Sequence, residues 1–127
     1  MRRKKNGNSG VRKDRLAKPG ELDVIIIPAR KALDAITSAG GFSAEDAVSL
    51  SLFANLAELV ARHKNRSVDE VAAQRLAISL KGMLEEAAID EDDLDRMKDD
   101  FFRLTLLIQS FPIKRLWGLI HEISKND

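Results

Sequence analysis

Leu94, Met97, Phe101, Leu104 and Ile108 recur at alternating steps of three and four residues, the seam by which one helix packs along another. The same steps resume after Pro112 with Ile113, Leu116, Ile120 and Ile123. From Glu21 onward no stretch sustains apolar and polar alternation with period two, and no Asn-Gly hairpin signal occurs. This periodicity predicts an all-α fold, a compact bundle of four to five helices with a flexible basic N-terminal tail. A chain of 127 residues supplies one such core.

The tail is expected from the charge distribution. Residues 1–20 hold eight Lys and Arg against Asp14 alone, a net +7, whereas from Glu21 onward thirteen bases face nineteen acids, a net −6. The formal charge of +1 hides that division. Within 1–20 the only large apolar side chains are Val11 and Leu16, too few to offset the entropy of ordering. The expected organisation is a basic disordered arm over 1–20 and a helical domain over 21–127. Arg2 to Lys5 lead into Asn6, Gly7, Asn8, Ser9 and Gly10 rather than an apolar stretch, so a secretory leader is not expected. The longest apolar run, Val24 to Ala29, is too short for a membrane span, and a cytoplasmic protein is expected.

Capping residues mark the helix starts. Ser67 with Glu70 three residues later, Ser43 with Asp46, and Asp90 with Asp93 each fit an N-terminal cap, with Val68 and Val71 opening an apolar face behind Ser67. The spacing predicts helices over Ala44 to His63, Val68 to Ala88, Glu91 to Ser110 and Pro112 to Ser124. The helix over 44–63 is apolar around most of its circumference, with Val48, Leu52, Phe53, Leu56, Leu59 and Val60, and should be central. The first helix has two readings. The β-branched run Val24 to Ile27 before Pro28 favours a start at Pro28 and an end near Ala39; the alternative begins at Pro19 and kinks at Pro28.

The stretch from Ser67 to Ser79, Ser-Val-Asp-Glu-Val-Ala-Ala-Gln-Arg-Leu-Ala-Ile-Ser, resembles the first helix and turn of helix-turn-helix regulators. That resemblance implies a break near Ala77, where the pattern has a glycine. Lys81 is followed by Glu85 and Glu86 on the segment that would enter the groove, and a continuous amphipathic helix is the favoured reading.

No constellation in the sequence points to catalysis, and no enzyme or cofactor is expected. The absence of cysteine removes thiolate metal sites and thiol nucleophiles. The acids from Glu85 to Asp100 lack calcium-loop spacing: counted from Asp90, the fifth, sixth and twelfth positions are Leu94, Asp95 and Phe101. They suit a helix N-terminus instead. His63 and His121 form no recognisable ligand pair. Candidate nucleic-acid contacts are Arg2, Arg3, Lys4, Lys5, Arg12, Lys13, Arg15 and Lys18; with no aromatic among them, base stacking by the arm is not expected. Candidate partner contacts are Phe111, Lys114, Arg115 and Trp117, since tryptophan and arginine anchor interfaces. The seam of the last two helices is either internal packing or a homodimer interface. The reading that follows is a small regulator or adaptor that binds a protein partner or itself, with an arm that contacts nucleic acid. The alternative is a protein-interaction module with no nucleic-acid binding.

Overall fold

The computed structural model describes residues 15–36, 42–85 and 91–125. Among them are five helices and no strand: α1 (Asp23–Ala35), α2 (Ala44–His63), α3 (Ser67–Leu84), α4 (Glu91–Gln109) and α5 (Ile113–Lys125). The chain is an all-α bundle. Its centre is α2, which packs against all four other helices and buries Leu50, Phe53, Ala54, Leu56, Ala57, Val60 and Ala61. Phe53 meets Phe101 of α4 with ring centroids 4.6 Å apart. That pair ties α2 to the four-three seam, whose Met97, Phe101, Leu104, Ile108 and Leu116 are buried within the one chain. The seam is internal packing.

The first helix corrects the start at Pro28. It begins at Asp23, ends at Ala35 and carries Pro28 inside it. Ile25, Ile26, Ala29, Ala32 and Leu33 are buried, so tertiary burial outweighs the weak helix preference of the β-branched run. The proline nitrogen offers no hydrogen to the carbonyl of Val24, but Val24 lies on the exposed side, where water can satisfy that carbonyl.

The two serine caps diverge. At α2 the capping box forms: the Asp46 amide donates to Ser43 Oγ at 3.1 Å and the Ser43 amide donates to Asp46 Oδ2 at 2.9 Å. At α3 it does not, because Ser67 is already helical and the Arg66 side chain makes no cap bond. Glu70 instead accepts from Arg62 Nε of α2 at 2.8 Å. Along α3, Leu76, Leu80 and Met83 turn inward and Gln74, Lys81 and Glu85 outward, as their spacing predicts, but the apolar face expected from Val68 and Val71 is corrected. Val68 and Val71 face solvent, while Asp69, Ala72 and Ala73 face inward. This rotation lets the Asp69 carboxylate reach Arg66 at 3.2 Å and Arg103 of α4 at 2.6 Å. Val48 of α2, expected on an apolar face, is likewise exposed.

α3 runs without a break through Ala77, as a continuous amphipathic helix does. It ends at Leu84 rather than Ala88; Ala87, the Asp90 cap and the expected end of α1 near Ala39 lie outside the described residues. Between α4 and α5, Ser110 and Phe111 close the last turn onto Leu106, Leu107 and Ile108. Pro112 then opens α5, its carbonyl accepting from the Leu116 amide at 3.1 Å.

Candidate functional site

The segment before α1 is anchored to the bundle. Lys18, Pro19, Gly20 and Glu21 form a turn in which the Glu21 amide donates to the Lys18 carbonyl at 3.0 Å, with Gly20 at φ +89°. A proline followed by a residue of positive φ is the type II arrangement, and glycine adopts it without strain. The Glu21 carboxylate accepts from the Arg15 guanidinium at 2.7 and 3.1 Å and from the Lys18 amide at 2.6 Å. Those bonds, Arg15 first, hold its pKa down at about 2. The Ile113 amide at the start of α5 donates to the Arg15 carbonyl at 3.0 Å, and Leu16 bridges Pro112. Ala17 packs on the core. Arg15 to Gly20, grouped with the arm in sequence, are therefore a strap tied to the α4–α5 corner.

The same corner gathers fixed cations. Lys64, just past the end of α2, donates to Ser110 Oγ at 3.0 Å, which brings the α2–α3 turn against the end of α4. Arg66 and Arg103 line an open cleft with Ser110, Phe102 and Leu106. Across the corner, Arg115 lies 4.8 Å from the ring centroid of Phe111, and Phe111 lies 6.1 Å from the ring of His63. Arg15, Lys64, Arg66, Arg103, Lys114 and Arg115 thus share one end of the bundle. The nearby acids are Glu21, paired to Arg15; Asp69, paired to Arg66 and Arg103; Glu70, paired to Arg62; Asp23, which opens α1; and Glu122, which lines a cleft with Arg115. Among the described residues Lys64, Lys114 and Arg115 form no ion pair.

The opposite end carries the reverse sign. α3 and α4 run antiparallel, pinned by Asp69 with Arg103 and by Arg75 with Asp100. The N-terminus of α2, the end of α3 and the last turn of α5 meet around Val48, Leu84 and Ile123. Glu45, Asp46, Glu85, Glu91, Asp92 and Asp93 lie at the element ends that face this way, with Lys81, Lys125 and Arg96, which pairs with Asp93 at 2.9 Å, as nearby bases. Among the described residues charge is therefore unevenly spread: a group of exposed acids stands at one end and a group of cations at the other.

The sequence-derived candidates divide accordingly. Arg15 and Lys18 belong to the strap; Arg2, Arg3, Lys4, Lys5, Arg12 and Lys13 lie outside the described residues, joined to the fold through Arg15. Phe111 is buried, at 3% exposure, and works as a core residue under Arg115. Lys114 and Arg115 are exposed and Trp117 is 40% exposed, on the first two turns of α5. Lys64, Arg66 and Arg103 are not legible in the sequence as one group, where nothing local links Lys64 and Arg66 to the distant Arg103. A further exposed feature is apolar: Val68 and Val71 of α3 and Phe102 and Leu106 of α4.

Among the described residues no group of three His, Asp or Glu side chains is placed to hold a metal ion, and no helix is long and apolar enough to cross a membrane. Comparison with protein-family models, with curated proteins and with solved structures returned no match.

Proposed function

We propose that the protein is a small non-catalytic helical adaptor whose basic end engages nucleic acid while the bundle holds a protein partner. The observation that carries this reading is the convergence at one corner of the bundle of Lys64, Arg66, Arg103, Lys114 and Arg115 with Arg15, the residue to which the most basic stretch of the chain is joined. Cations fixed on a rigid scaffold beside a strongly basic segment neutralise consecutive phosphates and release their counterions. The acidic far end would repel the same ligand and so orient it.

A mobility-shift titration with a labelled oligonucleotide tests this, comparing the native chain with a variant carrying Arg2, Arg3, Lys4 and Lys5 as glutamine. Binding that weakens in the variant and falls steeply with salt supports the proposal. Equal binding by both chains, or none, refutes it.

A second reading, a protein-interaction module without nucleic acid, is favoured by the exposed Val68, Val71, Phe102 and Leu106 beside Arg66 and Arg103. It expects no retardation of nucleic acid at moderate salt and loss of partner capture on Phe102→Asp.

A further inference from the structure

We propose that the exposed face of α5 nearest the basic corner is a stacking platform for single-stranded nucleic acid, with Trp117 receiving a base and Lys114, one turn away, receiving a phosphate. This rests on the nucleic-acid reading above and specifies it. Lys114, Trp117 and His121 follow one another at i, i+3 and i+7, the spacing that keeps side chains on one side of a helix, and all three are exposed. The stripe is about 10 Å long at 1.5 Å per residue. The acid of this helix, Glu122, is turned away, lining a cleft with Leu59, His63 and Arg115.

The core takes Leu116, Leu119, Ile120 and Ile123 from α5, and Trp117 stands outside that set. An indole left at the surface among cations offers what single-stranded binding sites combine: an aromatic face for a base and positive charge along the backbone. A duplex hides its base faces in its own stack and gains only the charge. The arm contains no aromatic residue. The fold supplies one, because the Arg15 carbonyl is held by the Ile113 amide at the foot of this same helix, one turn before Trp117. No Asn or Gln stands on the stripe to read base edges, so binding is expected to tolerate any sequence.

Trp117 is the single tryptophan of the chain, so its fluorescence reports on the platform alone. Titration of the full chain with a twenty-nucleotide oligo(dT) should quench it. Trp117→Ala should weaken oligo(dT) binding roughly tenfold, within the ~5- to 150-fold expected for loss of one stacked base, and change binding to a twenty-base-pair duplex less than twofold. Trp117→Phe should restore most of the difference, and circular dichroism should match for all three chains. Oligo(dT) bound without quenching, or equal losses on single strand and duplex, would overturn the platform while leaving the basic end intact as a binding site. If neither oligonucleotide binds, the nucleic-acid reading falls as well. Quenching by phosphatidylserine vesicles but not by oligo(dT) would overturn both in favour of a lipid surface.

Discussion

The Asp100 carboxylate accepts two hydrogen bonds from the Arg75 guanidinium, from Nε at 2.9 Å and from Nη2 at 2.7 Å, while only 6% of the Asp100 side chain reaches solvent. The bidentate fork holds an acid that α4 buries among Met97, Phe101 and Leu104, and it raises the pKa of Arg75. Arg75→Met would leave that buried carboxylate without its partner. A loss of about 2 kcal/mol in urea unfolding is expected, reduced from the value for a fully buried pair because Arg75 is itself half exposed. The double variant Arg75→Met with Asp100→Leu should recover most of it. An Arg75→Met variant as stable as the native chain would show that the pair contributes nothing.

The two serine caps should respond differently. Ser43→Ala removes one side of a formed capping box and should cost about 1 kcal/mol, whereas Ser67→Ala, at a residue already inside α3, should fall within about 0.5 kcal/mol of the native chain. Thermal unfolding of the two variants distinguishes these cases, and equal costs would place a working cap at Ser67.

Glu21 makes the strap sensitive to acid. Its pKa lies at about 2 when anchored, against an ordinary 4.5, so the stabilising contacts are fully present above about pH 4.5 and are lost as the pH falls towards 2. The Lys18 amide donates directly to this carboxylate, and its proton NMR shift should titrate with a midpoint near 2. Arg15→Ala should move that midpoint upward. A midpoint near 4.5 in the native chain would mean that the strap is not held in solution.

Helix existence was legible from spacing, and at α2 from the Ser43 cap, because burial in a bundle repeats every three or four residues. The start of α1 was not. Local steric rules favour Pro28, but the buried face of Ile25, Ile26 and Ala29 decides the matter through long-range contacts. The inward turn of Asp69 and Asp100 was also hidden, since each is read from sequence as one more acid near a helix N-terminus. The spacing of Asp100 does mark it: it falls three residues after Met97 and four before Leu104, an inward position on the seam. For the candidate surface, Trp117 and Lys114 were visible as residue types, whereas their nearness to Arg15 and Lys64 depends on the Ile113 and Ser110 hydrogen bonds, which join segments distant in sequence.

Nucleic-acid binding at the basic end requires the two ends of the bundle to be unequal towards a polyanion. The most direct test is the salt dependence of oligo(dT) affinity for the native chain, for Lys114→Glu at the basic end and for Lys81→Glu near the acidic end. Lys114→Glu should weaken binding and make the log–log salt slope shallower by about 0.7, the value for one phosphate contact on a single strand, while Lys81→Glu should leave both unchanged. Equal effects from the two substitutions would contradict the claim that nucleic acid is bound at the α4–α5 corner.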